Sequence, residues 1–179
     1  DNLNGHYIRA TADADLLAEM EKVLPHIAGG DVLAAKLSPA LRAQLIAAMP
    51  GLKERAKTLV ELFEASRFVW AGRPLPLTEQ AAALLTPEAR QTIAALLPEL
   101  APVADWSATA IEAVVRAFAE RSGVKLGSVA QPLRAALTGK TTSPPIFDVL
   151  VVLGREESLA RLRDQTEATA VVLESRVVQ

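Results

Sequence analysis

The stretch from Gly123 to Gly154, GVKLGSVAQPLRAALTGKTTSPPIFDVLVVLG, holds the densest set of groups able to act on a ligand. Leu126, Val129, Leu133 and Leu137 recur every three or four residues, which sets them on one face of a helix with Arg134 beside the stripe. Gly139 is suited to end that helix, because glycine tolerates the left-handed conformation of a helix C-cap. Ser143-Pro144-Pro145 then reads as a stiff extended segment, since proline fixes its own φ and restricts the residue before it. A new apolar helix is expected from Ile146. Between Arg116 and Lys140, five cations (Arg116, Arg121, Lys125, Arg134 and Lys140) stand against the single acid Glu120, a local charge of +4 on a chain of formal net charge −2. The chemistry on offer is recognition: guanidinium and ammonium donors beside a loop that presents carbonyls and amides.

Bond-making chemistry finds little support in the same residues. There is no cysteine, and the only two histidines, His6 and His26, are far apart in sequence, which removes disulfides, thiolate nucleophiles and a ready metal set. No Gly-rich phosphate loop or Ser-His-Asp arrangement is present. Glu156 and Glu157 fall at a helix start, where negative charge suits the dipole without any catalytic role. A net charge of −2 and a pI near 5.8 argue against binding nucleic acid by bulk electrostatics, while leaving a local basic face possible. With 50% apolar residues, no apolar run long enough to span a bilayer and no signal-like N-terminus, the chain reads as globular, soluble and cytoplasmic.

The elements that must position these groups are helical throughout. Leu16, Leu17, Met20, Val23, Leu24 and Ile27 share a helical face from Asp13 to Ala28, with Gly29-Gly30 as the stop. Ser38-Pro39 reads as an N-cap with proline at the first helical position, and Pro50-Gly51 as the break that ends this second helix. A third helix is expected to carry Leu52, Leu59, Leu62 and Phe63 inward. Phe68, Val69 and Trp70 run into the loop AGRPLPLTEQ, with Trp70 read as a core or lid residue. Thr86-Pro87 opens another helix, which Pro98 and Pro102 are expected to disturb. Ser107 caps a helix carrying Ile111, Val114, Val115 and Phe118, and Trp106 is read as structural. In REESLARLR, Leu159 and Leu162 point inward and the charges outward. The fold class is therefore all-α, two consecutive irregular helical bundles, 1–101 and 102–179, with the boundary near Pro102. The tail 164–179 extends the last helix, contacts a neighbour or frays.

GVKLGSVAQPLRAALTG followed by TSPPIFDVLVVLGREESLARL, together with LNGHYIR at Leu3 to Arg9 and LKERAKTL at Leu52 to Leu59, resembles the C-terminal anticodon-binding region of bacterial glutamyl-tRNA synthetases, class I enzymes. The likeness runs from Asn2 to about Arg163. It implies that residues 1–9 are a junction to an absent catalytic part, and that glutamate activation with ATP and magnesium occurs there, leaving this region with no cofactor and no catalytic residue of its own. The paired-histidine and lysine-rich motifs of that class are missing here. The implied partner is the anticodon loop of the glutamate tRNA isoacceptor, not DNA or a membrane, bound by a monomer.

By the LKERAKTL match, the resemblance makes Arg55 the reader of the last anticodon base. Arg134, Ser143, Pro144 and Ile146 match positions that approach the first two, and Lys125 and Lys140 are the candidates for phosphate contacts. Pro145 departs from the family pattern, in which many relatives carry glycine, and it offers no amide donor. Read without the family, Arg55 would pair with Glu54 or an acid one turn away, and the chain could be a helical protein-interaction module using its Val-rich tail. A freestanding helical enzyme is the weakest reading, for want of catalytic groups.

Overall fold

The computed structural model describes the backbone of residues 2–177 and the side chains of residues 4–167. Among the described residues every regular element is helical, and the chain divides into two compact units, 1–71 and 72–179.

The first unit contains α1 (Asn2–Ala10), α2 (Asp13–Val23), a 3-10 turn (Leu24–His26), α3 (Gly30–Lys36), α4 (Pro39–Lys53) and α5 (Leu59–Trp70). Its core is the packing of α2, α4 and α5 on one another, where Leu16, Met20, Leu45, Met49, Leu62 and Phe63 are wholly buried. The Ser38 hydroxyl accepts the Leu41 N–H at 3.1 Å and opens α4 with Pro39 in its first turn, as its cap-proline signature predicts. The expected break at Pro50-Gly51 does not occur, and α4 continues to Lys53. Pro50 sits on the exposed side near the helix end, where water can serve the carbonyl that its missing N–H leaves unbonded. Continuing the helix buries Leu52 to 1% exposure and brings Lys53 Nζ to 2.6 Å from Asp13 Oδ1. Trp70 is a core residue. Its ring lies 5.6 Å from Phe63, its Nε1–H donates to Ser66 Oγ at 3.2 Å, and Arg67 and Lys36 stand over it at 5.5 and 5.7 Å.

The second unit contains α6 (Glu79–Leu84), α7 (Pro87–Leu100), α8 (Ala108–Arg121), α9 (Leu126–Thr138), α10 (Ile146–Leu153) and α11 (Arg155–Val177). α9 is its centre: it touches α6, α7, α8, α10 and α11, and Leu133, Ala135, Ala136 and Leu137 have no exposed surface. Small alanines beside the leucines let neighbours approach on more than one side, so this helix is buried well beyond the single stripe its spacing announces. The division between units falls at Ala71–Gly72 rather than near Pro102. Pro98 is exposed and sits inside an unbroken α7, which packs on α8, α9 and α11 and so belongs with the helices that follow it. The proline-rich segment after Trp70 marks the boundary instead. No helix among the described residues is long and apolar enough to cross a membrane.

Candidate nucleic-acid interface

Arg55 lies in the turn between α4 and α5, not on a helix. Its side chain is exposed, and among the described residues it makes no hydrogen bond or ion pair, so the expected alternative of a pair with Glu54 is not formed. The backbone beneath it is nevertheless fixed. Leu52 and Ala56 on either side are 1% and 3% exposed, and Thr58 caps α5 by accepting the Glu61 N–H at 3.1 Å. Glu61 reaches back to accept the Lys57 N–H at 2.7 Å, a capping-box arrangement displaced by one residue. The result is an exposed guanidinium on an anchored turn.

In the second unit, three of the sequence-expected residues come together where α9 hands over to α10. Arg134 is half-buried, its Nε–H donating to Ser143 Oγ at 2.9 Å, and the Ser143 hydroxyl donates to the Pro144 carbonyl at 2.7 Å. One serine thereby ties the guanidinium to the loop. The loop's start is held as firmly. Gly139 caps α9 in the left-handed conformation at φ 71°, and its carbonyl accepts the Thr78 N–H at 2.9 Å. The Thr138 hydroxyl, almost buried, donates to the Arg134 carbonyl at 2.8 Å and accepts the Lys140 N–H at 3.2 Å.

The remaining expected residues differ in what they can offer. Ile146 is 4% exposed and packs in the core, so its side chain is out of reach of a ligand and only its backbone remains. Pro145, the exposed N-cap of α10, brings no N–H of its own. Lys125 is an exposed residue at the start of α9, and Lys140 is half-buried in the loop. Of the basic run, Arg116 is paired with Glu112 at 2.6 Å and Arg121 with Glu99, so the local positive surplus is smaller than the charge count of its own segment suggests. Among the described residues no group of three or more histidines or acids is placed to hold a metal ion.

The helix-period reading missed a buried arginine. Ser158, Arg161, Leu162 and Gln165, spaced i, i+3, i+4 and i+7 along α11, are 0%, 1%, 0% and 7% exposed. The charges of REESLARLR therefore do not all point outward. Three of these four inward positions are polar, so an apolar pattern search assigns the face to solvent. Arg161 Nη1–H donates to the Leu137 carbonyl at 2.8 Å and Nε–H to Glu157 Oε1 at 2.7 Å. Burial pushes its pKa down, and Glu157 opposes that shift. Arg90 is likewise lowered by desolvation; it donates to the Leu85 carbonyl at 3.0 Å and to both the side chain and the carbonyl of Gln165.

Comparison with known proteins adds the family. The model of the anticodon binding domain matches residues 18–166. The glutamate–tRNA ligase of Azorhizobium caulinodans is 60% identical over 166 residues, covering 93% of this chain and 35% of that protein. Glutamate–tRNA ligase 1 of Xanthobacter autotrophicus is 62% identical over 165 residues, with 92% and 35% covered. The chain thus spans about a third of the length of these curated relatives. Among solved structures, glutamate–tRNA ligase from Elizabethkingia meningosepticum superposes with a TM-score of 0.74 at 24% identity over 92% of this chain and 31% of that one. The enzyme from Elizabethkingia anophelis gives 0.72 at 22% identity, with 92% and 30% covered, and both likenesses bear on fold alone. An all-helical chain matched over most of its length by one domain model belongs to the anticodon-binding domain family.

Proposed function

We propose that this chain is the tRNA-reading part of a glutamate–tRNA ligase, binding the anticodon loop of the glutamate isoacceptor and leaving amino-acid activation with ATP and magnesium to residues outside it. The observation that carries the reading is Arg55: an exposed guanidinium without a partner among the described residues, on a turn anchored at both sides, within a chain 60% identical to glutamate–tRNA ligases. Glutamate anticodons end in C and glutamine anticodons in G. A guanidinium fork donates to the O2 and N3 acceptors of an unpaired cytosine, whereas guanine presents donors at N1 and N2 on the matching edge. One side chain both attracts the right base and repels the wrong one.

The loop between α9 and α10 is assigned to the first two anticodon bases. Arg134, Ser143 and Pro144 supply a surface already bonded together, the Ile146 contribution is confined to its backbone, and Lys125 and Lys140 contact phosphates. Unpaired donors against the wrong last base cost about 1–3 kcal/mol, a tenfold to hundredfold preference. Filter binding with a glutamate-tRNA anticodon stem-loop tests this: Arg55→Ala should erase the preference for C over G at the final position while circular dichroism stays unchanged. Equal binding of the two loops by the unsubstituted chain would remove the role given to Arg55.

A further inference from the structure

We propose that Arg161 is a positioning residue for base readout, holding the last turn of α9 in the rotation that presents Arg134 and Ser143. This rests on the anticodon-reading assignment above. Arg161, a buried cation, donates to the Leu137 carbonyl, one turn beyond Arg134. The contact closes a ring around the end of α9. Arg161 holds Leu137 and Glu157; Glu157 Oε2 lies 3.7 Å from Arg73 Nε, and Arg73 also reaches Asp164 at 3.3 Å. Arg73 belongs to the segment that, at Thr78, donates to the Gly139 carbonyl at the same helix end. The helix terminus is therefore gripped from α11 and from the segment before α6, with the Thr138 hydroxyl bonding inward between them.

Burying the Arg161 cation against the half-exposed Glu157 is a poor device for stability alone, because desolvating the guanidinium offsets much of the attraction and an apolar residue of similar volume often serves as well. What the guanidinium adds is direction. Its planar fork can bond Glu157 through Nε and one particular carbonyl through Nη1, and a cation at a helix C-terminus also meets the negative end of the dipole. Rotation of α9 about its axis would carry Leu137 away from that donor and Arg134 away from Ser143 together. The bond to Leu137 thus reports, and limits, the motion that would spoil the loop surface.

The test measures base discrimination, which a merely structural residue would not alter selectively. The full 179-residue chain is titrated with glutamate-tRNA anticodon stem-loops substituted singly at the first, second or last anticodon base. Arg161→Met should cut discrimination at the first and second bases about fivefold to tenfold, less than the full worth of a charge-assisted hydrogen bond because the effect on the bases is indirect, and leave discrimination at the last base unchanged. Arg161→Lys, whose ammonium can still donate to one carbonyl, should recover part of the loss. If Arg161→Met does not fold, Thr138→Val carries the same selective expectation at about threefold, the scale of a neutral hydrogen bond. A folded Arg161→Met that keeps full discrimination, or loses it equally at all three bases, overturns the proposal; so does an unaffected Thr138→Val where that variant decides. An unsubstituted chain indifferent to all three bases overturns the anticodon reading itself, and the positioning role with it.

Discussion

Arg55 and Arg134, the two arginines proposed to read the anticodon, are held in opposite ways. Arg55 stands exposed on a turn whose neighbours Leu52 and Ala56 are buried. Arg134 is half-buried and bonded to Ser143, on a helix whose end is bonded by two other segments. The first site keeps its conformational cost for the moment of binding, when a long side chain loses rotamer freedom. The second has already met that cost in folding, and under the proposed reading it would gain affinity through preorganisation. A chain with both can separate selectivity by reach from selectivity by shape.

The largest effect that separates the two sites should come from Gly139→Ala. The new Cβ would lie 2.3 Å from the Pro76 carbonyl oxygen on a backbone at φ 71°, where left-handed geometry alone costs about 1–2 kcal/mol. Urea denaturation should show the second unit destabilised by about 3 kcal/mol or more, the severe end for one substitution, with the amide exchange of α2, α4 and α5 unchanged. Next comes Thr58→Ala, which removes the cap of α5 and so frees the Arg55 turn. A loss of about 1 kcal/mol is expected in the first unit, together with weaker preference at the last anticodon base. Ser143→Ala should weaken loop binding about threefold to tenfold, the scale of one lost hydrogen bond, without lowering the stability of the first unit. An effect at the last base from Ser143→Ala would dissolve the contrast drawn here. The smallest change is expected for Lys125→Ala: uniformly weaker binding to every loop sequence, and a salt dependence shallower by about one counterion.

Much of this frame was legible from local chemistry. Ser38, Thr86 and Ser107 each act as the N-cap their neighbours suggest, accepting from Leu41, Ala89 and Ala110, and Gly139 ends α9 as a left-handed glycine should. The proline reading was less reliable, because a proline's effect depends on where the ring points. Pro50 and Pro98 lie on exposed sides close to helix ends, where the lost hydrogen bond is cheap, and both helices run through them. The displaced boundary follows from the same misreading. α3 and α6, of 7 and 6 residues, are too short to carry a periodic signal. Of the candidate site, the loop between α9 and α10 was readable as a proline-stiffened link between two helices, but the burial of Ile146 and Arg161 was not. A position's exposure is decided by which helices surround it, and for Arg161 the decisive partners are a carbonyl on α9 and an acid one turn away.

The chain's two tryptophans fall one to a unit. Trp70 is sealed among Phe63, Ser66 and two cations, whereas Trp106 is half-buried, its indole N–H given to the Leu150 carbonyl at 2.8 Å and its ring covered by Arg155. Each unit therefore carries its own fluorophore in a distinct quenching environment. Replacing either with phenylalanine leaves a single tryptophan, so emission excited beyond the absorption of Tyr7 can follow the melting of one half, or its response to RNA, without labels.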